Sequence, residues 1–350
     1  MYQFIQSLPE KLRQYHTPAA SLAFYDAHHP LQAMTLTQDG QTLPTETLFQ
    51  AGSISKEIFA LAVLSLRDEG LLDLDQEVNF YLKQVPGYLL TDSNGQPARR
   101  TLRQLLSHTG GLTVHGFEGY PLGAVLPTID QILTGTSPAN SDPVIAEDEP
   151  DQHFRYSGGG TTILQKIVSI VTGSDVADVM EERVLRPLGM HLSTYRQPLP
   201  PAQRERAVMG YPFEGKMLPT GFHVYPELGA AGLWTTASDL IQYGQHLQQI
   251  RQGQPGLIRS KTLMEMTTPA VSEQFKMWNS TAQVGLGCFI KGNQDQRIFG
   301  HSGWNEGYVA LMNFYLDQPQ GFAVLFNSNE ASPLLYEIQL SIAEELGWQL

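Results

Sequence analysis

Phe49-Gln-Ala-Gly-Ser-Ile-Ser-Lys-Glu-Ile-Phe-Ala-Leu-Ala-Val-Leu-Ser-Leu-Arg-Asp-Glu-Gly70 is the stretch on which the reading of the fold turns. It opens with small residues, Ala51-Gly52-Ser53, and continues with Ile58, Phe59, Leu61, Val63, Leu64 and Leu66. That run predicts a helix apolar on nearly every face, and such a helix belongs in the middle of a molecule rather than on its surface. Gly70 stands where a helix C-terminus favours a left-handed residue. Ser53 and Lys56 are spaced i, i+3, which puts the hydroxyl and the amine on one helix face.

Around this helix the chain divides into three parts. Toward the N-terminus, Gln3 to Tyr15 reads as an amphipathic helix, Ala19 to Tyr25 as a strand and Leu31 to Thr37 as a weaker strand ended by Asp39-Gly40. In the middle, Thr101 to Gly111 reads as a short helix with a Gly-Gly stop, and Gly160 to Gly173 and Val176 to Val184 as helices. The segment from Leu112 to His153 is rich in Gly, Pro and acidic residues, a long loop of the kind that walls a functional cleft. Past Gly229, a packed turn from Ala230 to Asp239 leads into a helix, and Val284 to Ile290, Arg297 to Phe299, Tyr308 to Leu316 and Phe322 to Asn327 read as strands. A helix from Pro333 to Leu346 closes the chain.

Strands at both ends and helices between them predict an α/β protein of the α+β type, one antiparallel sheet built from both termini and flanked by helices. The expected division is a discontinuous sheet subdomain, residues 1–77 and 227–350, and a mostly helical insertion, 78–226. A length of 350 residues fits two subdomains sharing an interface. The net charge of −13 argues against nucleic acid or an anionic membrane surface as partner. The one cysteine, Cys288, excludes an internal disulfide and a cysteine-built zinc site, and reads as a core residue. No signal-peptide pattern or long apolar stretch is seen, so a cytoplasmic location is the default expectation; a mature chain after leader removal would look the same.

A serine hydroxyl is a weak nucleophile until a base takes its proton. Lys56 serves only when neutral, and at a pKa of about 10.4 roughly one lysine in 2,500 is neutral at pH 7. Burial by itself lowers a lysine pKa by the ~3 units required. A nearby tyrosinate is the alternative base. Ser53 also fits a plain N-cap. Two further motifs bear on the choice. Phe154-Arg-Tyr156-Ser-Gly-Gly-Gly160 sets a tyrosine beside consecutive glycines just before a helix. Phe299-Gly-His301-Ser-Gly303-Trp304 follows a strand, and the N–H of Trp304 is placed to join that of Ser53 as an oxyanion hole.

Ser-x-x-Lys at a buried helix, Tyr-Ser-Gly in the middle and His-x-Gly on a late strand, in that order, resemble the serine β-lactamase and penicillin-binding-protein superfamily. Within it the chain is similar to the class C branch, which also holds DD-peptidases, D-aminopeptidases and carboxylesterases. Leu105-Leu-Ser-His-Thr-Gly-Gly-Leu112 and Gly232-Leu-Trp-Thr-Thr-Ala-Ser-Asp239 support the resemblance. It implies that Ser53 is acylated, that Lys56 and Tyr156 move its proton, and that His301, Ser302 and Gly303 form the third motif in its peptidase and esterase form. The chain departs from the pattern at Gly158, where the family usually carries an Asn that binds a substrate carbonyl. The expectation is therefore ester or amide hydrolysis rather than efficient β-lactam hydrolysis. Glu306, close after His301, is a candidate for recognising a substrate amine.

The expected partner is a small-molecule or short-peptide substrate, with no cofactor, metal, nucleic acid or membrane. Scattered histidines without His-x-x-x-His or His-Glu-x-x-His spacing speak against metal catalysis. The rival reading is a member of this fold used for binding, sensing or assembly.

Overall fold

The computed structural model describes residues 2–272, 274–277, 280–292 and 296–349. Its main feature is a nine-stranded sheet. The strands are β1 (Ala19–Tyr25), β2 (Gln32–Thr37), β3 (Thr42–Leu43), β4 (Phe275–Met277), β5 (Ser280–Val284), β6 (Phe289–Gly292), β7 (Arg297–Asn305), β8 (Tyr308–Tyr315) and β9 (Gly321–Phe326). Their order across the sheet is β3-β2-β1-β9-β8-β7-β6-β5-β4, with every neighbour antiparallel. The N-terminal and C-terminal strands join where Ala20 pairs with Phe326 and Tyr25 with Gly321.

The central strands are buried on both faces and sort their side chains with period two. Leu22, Phe24, Leu311, Val324 and Phe326 face one layer, made by α1 (Gln3–Gln14) through Leu8 and Leu12 and by the C-terminal helix, Ser332–Leu346, through Leu334 and Ile338. Ala23, Phe299, Met312, Phe314 and Leu325 face the other layer. There lies α2 (Ile54–Asp68), in which every residue from Ile54 to Leu66 is buried. Each large apolar side chain so buried contributes about 1.5–3 kcal/mol. The helix ends at Gly70, whose φ of +79° gives the expected left-handed stop. Beside α2 run α3 (Gly158–Thr172) and α4 (Ala237–Arg251).

Several boundaries differ from the sequence reading for physical reasons. Val284 to Ile290 is not one strand but a hairpin corner between β5 and β6: Gly285 N–H bonds Cys288 O, and Gly287, at φ +85°, presses so closely on Ala60 that a Cβ would fall 2.4 Å from its methyl. Cys288 is buried in that corner. The packed turn from Ala230 contains a short helix, Leu228–Ala231, and a bridge, Trp234–Thr235, that pairs with Phe49–Gln50 and holds the entry to α2. β7 runs six residues beyond Phe299, so His301 to Trp304 sit within a strand. The glycines after Tyr156 form the first turn of α3, capped by the Ser157 hydroxyl accepting from Gly160 N–H.

Candidate active site

Ser53 occupies the position just before α2 with helical backbone angles, and its hydroxyl caps no helix N–H. It meets Lys56 instead. The Lys56 amine donates to Ser53 Oγ at 3.0 Å and to the Ala230 carbonyl at 2.7 Å. Burial brings the Lys56 pKa down to about 7, so a large fraction of the amine is neutral at neutral pH.

Tyr156 lies across the amine, with Nζ 5.0 Å from the ring centroid. Burial raises the phenol above its ordinary pKa, and the neighbouring Ser53 hydroxyl offsets part of that. The approach to Ser53 falls short of a formed hydrogen bond: the buried Tyr156 hydroxyl has no partner among the described residues. Its raised pKa makes it a neutral phenol at neutral pH.

The sequence reading did not single out what holds Tyr156. His108, at φ +54° and buried, stacks its ring 4.4 Å from the tyrosine ring. Its Nδ1 accepts from Ser157 N–H at 3.2 Å, and its carbonyl accepts from Arg155 N–H at 2.8 Å. His108 therefore grips Tyr156 through the residues on both sides. The signal is in Leu105 to Leu112, a segment that supports the resemblance and overlaps the helix with its Gly-Gly stop: a histidine just before Thr-Gly-Gly. His115 packs on the other side, ring centroids 4.9 Å apart.

β7 brings the third motif to Ser53. An ideal Cβ on Gly303 would lie 1.8 Å from the Ala51 carbonyl and 3.3 Å from Ser53 N, and one on Gly52 would lie 2.5 Å from Trp304 N. Only glycines allow the two backbones to touch in this way. The register then directs the donors. Asn305 and Tyr308 close a two-residue hairpin, so Trp304 and Ser302 fall at positions whose N–H groups point away from β8. β6 pairs no further than Gly300, which leaves that edge of β7 open beside Ser53. His301 donates from Nδ1 to the Ser302 carbonyl at 2.5 Å, and burial followed by the Lys56 charge lowers its pKa to about 3.

Ser53, Tyr156, His301, Gly303 and Trp304 line one cavity of about 310 Å³, with Phe154, Phe275 and Phe289 completing an aromatic wall. Gly158 and Glu306 are not among the lining residues. Glu306 sits in the β7–β8 turn, its N–H donating to the Tyr225 hydroxyl. A Cβ on Gly158 would point at the Phe117 ring, 3.0 Å away, and the His115 carbonyl, 3.1 Å away. Among the described residues no three His, Cys, Asp or Glu side chains are arranged to ligate a metal, and no helix is long and apolar enough to cross a membrane.

The large antiparallel sheet with a buried helix against one face is the fold of the serine β-lactamase and penicillin-binding-protein superfamily. The chain belongs to the Beta-lactamase family, whose model matches residues 3–343. Among curated relatives, Penicillin-binding protein 4* of Bacillus subtilis (strain 168) is 24% identical over 323 residues, 87% of this chain and 65% of that protein. Penicillin-binding protein 4 of Amycolatopsis lactamdurans is 32% identical over 185 residues, 51% of this chain and 45% of that protein. The chain thus spans less than two thirds of the length of either. Among solved structures, the octameric penicillin-binding protein homologue from Pyrococcus abyssi superposes with a TM-score of 0.76 at 25% identity, covering 99% of this chain and 77% of the other. A D-stereospecific amidohydrolase from Streptomyces sp. superposes at 0.75 and 21% identity, covering 99% and 98%; at that identity the likeness is one of fold.

Proposed function

We propose that this chain is a serine acyl hydrolase of the class C type that cleaves ester or amide bonds of small molecules through an acyl-enzyme on Ser53. The observation that carries the reading is the 3.0 Å contact between Ser53 Oγ and a buried Lys56 amine whose pKa is brought to about 7. In the neutral form Lys56 takes the Ser53 proton as Oγ attacks the carbonyl carbon. The oxygen of the tetrahedral intermediate receives hydrogen bonds from Ser53 N–H and Trp304 N–H. On collapse the carbon–leaving-group bond breaks, and Tyr156 donates its proton to the departing atom. The Lys56 ammonium then returns a proton to the tyrosine, which is too basic to stay ionised. Water attacks the acyl-enzyme by the reverse proton path, releasing the acid and restoring Ser53.

Gly158 offers no carboxamide to a substrate carbonyl, so esterase or peptidase activity is favoured over efficient β-lactam turnover. A hydrolysis screen of wild type beside Ser53→Ala tests this, using short-chain p-nitrophenyl esters, D-amino-acid p-nitroanilides and nitrocefin. Ester or anilide turnover that is lost in the variant, with nitrocefin much slower, is the expected result. Equal rates in the two proteins would remove Ser53 from the mechanism.

A further inference from the structure

The wall of the cavity beyond Tyr156 is aromatic. Phe154, just ahead of α3, and Phe275, from the edge strand β4, stack face to face with centroids 4.1 Å apart and planes 4° apart. Phe289 of β6 meets both at 72°, at 6.1 and 5.6 Å. The same Phe289 ring is 4.6 Å from His301 and 6.2 Å from Tyr156. Phe154 and Phe289 flank the Tyr156 ring, at 6.5 and 6.2 Å, so on the reading above, in which Tyr156 gives its proton to the departing group, the shelf borders the leaving-group side.

The described residues lining this cavity include no Lys, Arg, Asp or Glu. The two histidines among them, His115 and His301, are held neutral, by burial first and by the Lys56 charge second. Lys56 lies behind Ser53, engaged with Ala230. Lys291, whose charge reaches His301, stands two residues past Phe289 on β6 and does not line the space. A carboxylate on this shelf would lose its water and face the negative π surfaces of the rings, with no cation among the described lining residues to pair with it. An aryl or alkyl group there would bury apolar area and stack.

We propose that the group released from the substrate is uncharged and apolar, an aryl or alkyl alcohol or amine, and that it docks on the shelf of Phe154, Phe275 and Phe289. The proposal rests on the Ser53 acyl-transfer reading above and narrows it. It sets this chain against substrates that release an amino acid with a free carboxylate.

The test compares kcat/KM for 3-acetoxybenzoate with that for its methyl ester, and for phenyl acetate with that for ethyl acetate, each divided by the hydroxide rate constant of the same ester. Wild type should favour the methyl ester over the free acid by about tenfold or more, the equivalent of ~1.4 kcal/mol. Phe275→Ala, on an edge strand, should cut the preference for phenyl over ethyl acetate by about tenfold. Phe275→Arg should raise the rate on the free acid relative to its methyl ester. Equal or faster hydrolysis of the free acid by wild type, or an unchanged aryl preference in Phe275→Ala, would overturn the shelf while leaving Ser53 chemistry standing. If wild type hydrolyses none of the four esters faster than Ser53→Ala, the acyl-transfer reading falls and takes the shelf with it.

Discussion

Gly158 points at the carbonyl oxygen of His115: a Cβ there would come within 3.1 Å of that oxygen and 3.0 Å of the Phe117 ring. His115 and Phe117 thus crowd the space that the first carbon of any side chain at position 158 would enter. The loop is fastened there by Gly158 N–H to His115 O and Gly159 N–H to Val114 O, both 3.0 Å, and by Ser157 Oγ to Thr113 O at 2.7 Å. It carries Val114 at φ +60°, a strained setting for a β-branched residue. Gly158 and the packing of this loop therefore go together.

Restoring the Asn should therefore fail. Gly158→Asn should displace the loop, cost about 1–3 kcal/mol of stability and lower ester turnover without raising nitrocefin turnover. Thermal melting beside nitrocefin and p-nitrophenyl acetate assays checks this. A variant of unchanged stability with faster nitrocefin turnover would contradict the packing account.

The pH dependence should report Lys56. Attack needs the neutral amine, so kcat/KM for an ester should fall about tenfold per pH unit below about 7 and level off above it. His301, held near 3 by burial, adds no limb in the working range. Lys56→Met should remove the limb along with nearly all activity. An acid limb centred near 4 or 10 would assign the proton to another group.

His108 should act through Tyr156. Tyr156→Phe is expected to slow esters of poor leaving groups, such as ethanol, at least tenfold more than those of p-nitrophenol, since the acid matters most where the leaving group is basic. His108→Ala should reproduce that dependence in milder form. His108→Asn, which tolerates positive φ and keeps an acceptor for Ser157 N–H, should recover part of it. A His108→Ala variant that slows all esters equally would indicate a loss of folding alone.

Glu57, next to Lys56 in sequence, enters the core as a carboxylic acid. Burial raises its pKa from 4.5 to about 8, against the counteracting hydrogen bond that Tyr243 donates to it at 2.7 Å. Between pH 4.5 and 8 the unfolded chain gives up this proton and the folded chain keeps it, so stability falls as pH rises. Glu57→Gln should gain stability relative to wild type by on the order of 4 kcal/mol on going from pH 4.5 to pH 8. Urea unfolding of both proteins across that range checks it; a pH-independent difference would mean that Glu57 is ionised in the fold.

What the sequence made legible follows the physics of each segment. α2 could be read because its apolar residues cover every face, and β8 and β9 because they are long buried runs ended by turn residues. The corner between β5 and β6 was hidden because its glycines answer to a contact with Ala60, which only the fold creates. Ser53, Lys56, Tyr156 and the His301 strand carried local motifs; Ser53, Tyr156 and His301 line one cavity, with Lys56 behind Ser53. Ala230 enters the site through a backbone carbonyl, which has no sequence signature. Phe275 enters through an edge strand of three residues, too short to show a period.

The central claim is that Ser53 carries the acyl group. Wild type mixed with an activated ester, quenched in acid within milliseconds and measured as intact protein, should gain the mass of one acyl group. Peptide mapping should place that group on Ser53, and Ser53→Ala should gain none. An acyl group mapped to any other residue, or an equal adduct on the Ser53→Ala protein, would contradict the account.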